Sequence, residues 1–330
     1  MSRIDVPDGP DAAAAWHYGD PMGEQRLLDS GRGAVVLDHR DVISVSGPDR
    51  LDWLHSLTTQ FLTGLAPGVG TTALVLSPQG HIEHVLWAHT EPGRGQALVD
   101  FLQRMVFMRR VEPRLRTDDL AVVWQPGPSP AGHRITRAGA DSLGGHESFV
   151  PRDHLDQFLT EPESGEPIPL AGLWGYEARR IAAGVPRIFV DTDDRTIPNE
   201  IGVLGAAVHL DKGCYRGQET VARVHTLGRP PRRLVALHLD GSVDALPEVG
   251  APLHLSAERG AVDDQAAAKK DRPVGFVGSS ARHFELGPIA LGLVKRNVPI
   301  DAALEVAGIA AAQEVLVDPE IGLHVRARLS

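Results

Sequence analysis

At 330 residues the chain is too long for one ordinary hydrophobic core, so two or three domains are expected. A content of 42% hydrophobic and 23% charged residues excludes disorder as the main state, and 43 acidic against 33 basic side chains make duplex nucleic acid an unexpected partner. A single cysteine excludes an internal disulfide and a multi-cysteine metal site, and with no signal-like or long apolar segment the expected setting is the cytoplasm, with no membrane partner.

The first twenty residues, rich in Asp, Pro and Ala and without a period, read as a loose arm. AVVLDHRDVISVSG (34–47) places two apolar runs around a polar turn, which predicts a hairpin. SGPDRLDWLHSLTTQFL follows. Ser46 and Asp49 have capping-box spacing, Pro48 suits a first helical position, and Leu51, Leu54, Leu57 and Phe61 recur at helical spacing. Residues 71–90 predict a strand pair about a Ser77-Pro78-Gln79-Gly80 type I turn. QALVDFLQRMVFMRR predicts a helix with Leu98, Leu102, Met105 and Met108 or Arg109 on one face, and LAVVW a further strand, together an α+β layer.

EPESGEPIPL (161–170) reads as a connector. The following helix should carry Leu170, Trp174, Ala178 and Ile181 on one face and stop at Gly184 and Pro186. Beyond residue 231, short runs such as RRLVALHLD, RPVGFVGSS, PIALGLVKRNV and QEVLV predict a small all-β domain, with a polar loop over 256–272. GxGxxG, Walker and HExxH motifs are absent.

KGCYRGQETVAR (212–223) holds the sole cysteine, Cys214. Lys212 and Arg216 flank it at two residues on either side, and GQETVARV should open a helix. Both features lower a thiol pKa. The alternative is a small buried hydrophobe. Gly213 and Gly217 point to unusual torsions, close approach of a ligand, or an ordinary turn into the helix. Gln218 and Glu219 fall in its first turn, where Glu219 suits the dipole. Six basic residues (Lys212, Arg216, Arg223, Arg229, Arg232, Arg233) against Glu219 alone form either an anion-binding surface or a solvated face. His81, Glu83, His84 and His89 raise a metal site, but strand alternation splits them and no further ligand cluster supports them, so no metal is expected. Glu200, in TIPNEIGV, is a loop carboxylate that is either solvated or a ligand acceptor.

KGCYRGQE resembles the K-G-C-Y-x-G-Q-E signature of the YgfZ family, folate-binding proteins linked to iron-sulfur enzymes. VSGPDRLDWLHSLTTQ, LSPQGHIEHVLW, RRIAAGVPR, IPNE and VGFVGSSARHFELGPIALGLVKR follow in the order shown by that family and by the related aminomethyltransferase (T-protein) of the glycine cleavage system. The resemblance implies an α+β, aminomethyltransferase-like (GcvT-like) three-domain ring. Residues 20–70 and 166–230 would form a folate-binding α+β domain, 71–165 a second, ferredoxin-like α+β domain, and 231–330 a C-terminal β-barrel-like domain.

It further implies that Glu200, at the P-x-E position, contacts a pterin, and that Arg180 and Arg223 belong to a site for tetrahydrofolate or a one-carbon derivative. Cys214 and Lys212 would be the functional pair within a motif completed by Gly213, Tyr215, Arg216, Gly217, Gln218 and Glu219. Ala182 stands where the transferase has the Glu of R-x-E-a-G, and Glu83 and His84 stand where it has paired aspartates. The implied function is a folate-binding accessory factor whose partners are iron-sulfur client or assembly proteins. A folate-dependent aminomethyl or one-carbon transferase is the alternative, so catalytic turnover stays open.

Overall fold

The computed structural model describes residues 2–86, 89–127, 142–256 and 272–323. They form two compact units, one of Met1–Ser77, Ile82–Glu177 and Gly205–Arg216, the other of Pro78–His81, Ala178–Leu204 and Gly217–Ser330.

In the first unit, the expected loose arm is instead ordered by pairing: β1 (Ile4–Asp5) and β2 (Ala15–His17) are antiparallel, and Ala14 and Ala15 are buried. Helix α1 (Pro21–Asp29), an element not predicted from the sequence, follows. Pro21 takes the first position, and the Asp20 carboxylate accepts the Gly23 N–H at 2.9 Å.

The predicted 34–47 hairpin does not form. Its two runs, β3 (Val35–Leu37) and β4 (Asp41–Ser46), enter different sheets. β3 pairs with β9 (Leu120–Gln125), which pairs in turn with β10 (His146–Pro151). β4 lies between β7 (His89–Thr90) and β8 (Glu112–Leu115). The predicted strand pair does form, from β5 (Ala73–Leu76) and β6 (Ile82–Leu86). Because β9 pairs with β3 and β10, it does not extend the β5–β6 layer as expected.

Helix α2 (Arg50–Leu57) is shorter than the apolar spacing suggested, and Phe61 lies beyond its end. Its N-cap Asp49 makes no capping bond; the carboxylate instead receives the Arg110 N–H and guanidinium. Helix α3 (Gly95–Arg104) buries Leu98, Val99 and Leu102 against Ile43, Trp53, Leu54 and Leu62. Each such side chain contributes about 1.5–3 kcal/mol. The helix ends before Met105 and Met108, which are exposed, so the predicted apolar face is one turn too long. A short helix α4 (Leu155–Phe158) precedes the connector.

Helix α5 (Leu173–Ala182) starts after Leu170 and stops as predicted: Gly184 takes φ +69°, and the N–H groups of Gly184 and Val185 close on Ile181 and Arg180. In the second unit, helix α6 (Gln218–Thr226) opens on Gly217 at φ +80°. The predicted all-β end is a closed six-stranded barrel. Its members are β11 (Arg232–Leu239), β12 (Pro252–Leu255), β13 (Gly275–His283), β14 (Gly287–Lys295), β15 (Leu304–Val306) and β16 (Ile309–Val315), in the order β11-β14-β13-β12-β15-β16. β16 closes it on β11, with Val315 opposite Val235.

Inward Val235, Leu237, Leu253, Val277, Val294 and Leu304 fill the barrel. Gly278 is needed because a Cβ there would sit 2.2 Å from the Asp191 carboxylate. Most of the loop expected over 256–272 lies outside the described residues. Among the described residues, no helix is long and apolar enough to cross a membrane.

Candidate functional site

The segment leading to Cys214 is sewn onto the end of α2. Thr59 Oγ1 donates to the Ala207 carbonyl at 2.6 Å, Gln60 Nε2 to Ala206 at 2.6 Å, and the His209 N–H to Thr59 at 2.9 Å. Lys212 completes the seam. Its Nζ donates to the carbonyls of His55 (2.5 Å), Thr58 (2.6 Å) and Gln60 (3.0 Å) and lies 5.6 Å from the centroid of the Tyr215 ring. His55 lies in the last turn of α2, Thr58 is its C-cap and Gln60 follows it, and an ammonium with three donors answers the three carbonyls in number and in sign. Burial pushes the Lys212 pKa down to about 8 and the Tyr215 phenol up to about 12.

Lys212 (6% exposed) and Tyr215 (8%) thus point inward, and Cys214 between them is exposed. The thiol is therefore not a buried hydrophobe, and the Lys212 ammonium donates to three backbone carbonyls. Arg216 is also engaged, its Nη1 on Glu83 Oε2 at 2.8 Å. Of the two glycines, only Gly217 has a torsion that demands one. A Cβ at Gly213 would meet nothing within 4 Å. Gln218 and Glu219 occupy the first turn of α6, where the Glu219 carboxylate complements the helix dipole.

The histidines near Glu83 do not converge. Burial, then Arg94, Arg104 and Arg216, push His84 down to about 4, so it is neutral at pH 7. His89 pairs with Glu147 at 3.4 Å. Among the described residues, no three His, Cys, Asp or Glu side chains group to hold a metal.

In the second unit, Glu200 closes a 3-10 turn, Pro198–Glu200, and is fully buried. Its carboxylate accepts the Ile197 N–H (3.0 Å) and is gripped by Arg232, with Nε to Oε1 at 2.7 Å and Nη2 to Oε2 at 2.9 Å. Arg232 also holds Asp193, with Nη1 to Oδ2 at 2.6 Å. Burial works against charge at Arg232, but the bonds to Glu200 and Asp193 outweigh it and raise its pKa. Burial likewise pushes Asp193 up, yet Arg232 and Thr196 prevail and hold it at about 2.

Sequence reasoning did not single out Asp193, and it counted Arg232 only as one of six cations. The grip leaves Glu200 unable to offer a pterin a bidentate carboxylate unless the guanidinium is displaced. Arg180 is likewise enclosed. It is 3% exposed, with Nη1 on Asp191 (2.9 Å) and the Val185 carbonyl (2.6 Å), and Nη2 on Ser279 Oγ (2.6 Å). Asp191 in turn accepts the Ser279 N–H. These bonds fasten the end of α5 to strand β13. Arg223, by contrast, is exposed on α6 and lines a cavity of about 460 Å³ with Thr220, Val224, Leu227 and Gly228. That size suits a small organic ligand, and an exposed guanidinium suits a carboxylate.

No family model matches the chain. A chloroplastic protein of Arabidopsis thaliana, provisionally named a transferase, is 27% identical over 64% of this chain and 57% of its own length. The mitochondrial iron-sulfur cluster assembly factor IBA57 homolog of Chaetomium globosum is 25% identical over 82% of this chain and 73% of its own. The tRNA-modifying protein YgfZ of Buchnera aphidicola is 37% identical over 79 residues, 24% of each chain. The alignments with the first two curated relatives thus take in 57% and 73% of their length. Among solved structures, the glycine cleavage system aminomethyltransferase T of Bartonella henselae superposes with a TM-score of 0.72 at 17% identity, covering 95% of this chain and 93% of that one. The fold is the aminomethyltransferase fold.

Proposed function

We propose, on the premise that the chain's homologues are IBA57 proteins of the YgfZ family and a tRNA-modifying YgfZ, that it is a tetrahydrofolate-binding accessory factor for iron-sulfur cluster assembly or repair, with Cys214 as its functional thiol. The observation that carries this is the in-out-in placement of Lys212, Cys214 and Tyr215. Two buried anchors hold the loop and present the sole thiol outward, where another protein can meet it. Thiolates are the usual protein ligands of iron-sulfur clusters, and one cysteine supplies one ligand of about four. A cluster handled here as cargo would therefore take its remaining ligands from a partner, an assembly or client protein.

When bound, tetrahydrofolate would bring a one-carbon carrier. Among the residues present, Arg223 fits its carboxylate end, while Glu200 is already committed to Arg232. The three-domain division at residues 70, 165 and 230 and action in the cytoplasm belong to the same proposal; the IBA57 relatives are named mitochondrial. The transferase alternative gains nothing from the residues at its aspartate positions, because Glu83 is paired with Arg216 and His84 is kept neutral.

The test is gene deletion with complementation, reading the activity of iron-sulfur enzymes. Wild type is expected to restore it. Cys214→Ser is expected to fail while melting with the wild-type midpoint, since an exposed side chain contributes little to stability. Full rescue by Cys214→Ser would reject the thiol. For the folate part, Arg223→Met is expected to weaken tetrahydrofolate binding about tenfold by calorimetry, the scale of one charge-assisted hydrogen bond. Unchanged affinity removes Arg223 from the site.

A further inference from the structure

The turn after α3 displays apolar side chains to solvent on a rigid base. Phe107 is 83% exposed, Met108 88% and Met105 43%, and Met108 sits at φ +53°, a left-handed torsion that strains a side chain with a Cβ. The base is fixed from four sides. Trp53 Nε1 donates to the Met105 carbonyl at 2.9 Å, Val106 and Val111 pack on the core of α2 and α3, Arg110 clamps Asp49, and the Arg109 N–H closes the turn on Val106 at 2.8 Å. So tight is the approach that a Cβ at Gly47 would lie 2.1 Å from the Arg110 carbonyl oxygen. Packing therefore holds the two side chains out in a strained turn that buries neither.

Charge surrounds the tip. In an acidic chain, residues 104–116 carry five arginines against Glu112 alone. Arg110, Arg114 and Arg116 are matched by Asp49, Glu112 and Asp119. Arg104 and Arg109, exposed on either side of the tip, make no ion pair among the described residues. We infer that this knuckle is a docking site for a partner protein that offers an apolar pocket rimmed by Asp and Glu, with Phe107 and Met108 as the inserted anchors and Arg104 and Arg109 as the steering charges.

Other occupants fit less well. A single aromatic residue is not the successive stacking platform that single-stranded nucleic acid uses, and two free arginines beside two apolar side chains are too little to hold an anionic membrane. A second copy offers a barrel cavity of about 440 Å³, lined by Asp240, Asp301 and Ala310–Ala312, with only two carboxylates to meet the arginines, and self-association is therefore one of the outcomes that the test reads.

The experiment places a benzoylphenylalanine photo-crosslinker at position 107 of the full chain in its own host cells, with position 249 as a control because Val249 is also exposed, at 61%. The expected product is one protein, attached at a segment flanked by Asp or Glu and absent from position 249. With that protein purified, Phe107→Ser with Met108→Ser should weaken binding about 100-fold and Arg104→Glu with Arg109→Glu about tenfold, the latter with loss of salt dependence. Met108→Gly, which relieves the torsion, should raise the melting temperature and still weaken binding. The inference is overturned by no product beyond the control, or by a product sensitive to nuclease or lacking acidic flanks. Phe107-dependent sedimentation with phosphatidylcholine–phosphatidylserine vesicles, or self-association that the serine pair abolishes, overturns it equally.

Discussion

Arg232→Met is expected to cost about 3–5 kcal/mol of folding stability, measured by urea denaturation, the range found when one member of a buried ion pair is removed. The magnitude follows from what remains. Glu200 is fully buried, and its carboxylate would keep only the Ile197 N–H, while Asp193 would lose its guanidinium. Arg232→Lys cannot restore the loss, since a point charge cannot span two carboxylates in a fixed fork. Adding Glu200→Gln to Arg232→Met should recover more than half of it, because the stranded charge goes. Additive losses in that double variant would show that the pair is not coupled.

The pH dependence has a definite sign. Asp193 is held at about 2 against an ordinary 3.8, so its contribution is complete above pH 4 and lost as pH falls towards 2. In Arg232→Met that acid step should shrink. A step of wild-type size would place its origin elsewhere.

The same arginine shows how much of the molecule was legible in the sequence. Local devices could be read. The barrel strands announce themselves as short apolar runs between Gly and Pro turns, α5 stops at Gly184, and KGCYRGQE marks its segment outright. Long-range choices could not. Val35–Leu37 and Asp41–Ser46 look like a hairpin because each run is apolar, yet their partners arrive nearly ninety and about seventy residues later, in β9 and β8. Periodicity says that a strand exists and nothing about which strand it joins. Met105 and Met108 continue a helical spacing that the backbone abandons, and Trp53 takes the carbonyl there.

Site charges were the hardest to read. In sequence, Lys212 and Arg216 are both cations two residues from Cys214, but one is buried on a helix end and the other is half-exposed on Glu83. Glu200 could be located by resemblance. That Arg232 fills its carboxylate depends on two chain segments, 32 residues apart, meeting face to face, and no residue pattern records such a meeting.

Lys212→Met should separate a positioning role from an electrostatic one. If Lys212 works by holding the loop, its removal leaves the carbonyls of His55, Thr58 and Gln60 without their donor, at a cost of about 3 kcal/mol from a few lost bonds of roughly 1 kcal/mol each. The melting midpoint then falls, complementation of iron-sulfur enzyme activity fails, and alkylation of Cys214 by iodoacetamide does not slow, because an exposed thiol held by position does not depend on that charge. If Lys212 works by stabilising a thiolate, the alkylation rate drops and the midpoint barely moves. Cys214→Ser is the reference for both, since it removes the thiol and keeps the anchor. A lowered midpoint with unslowed alkylation would assign Lys212 to the architecture that presents Cys214. Slowed alkylation at an unchanged midpoint would return it to the chemistry and overturn the reading of its three hydrogen bonds as the purpose of the residue.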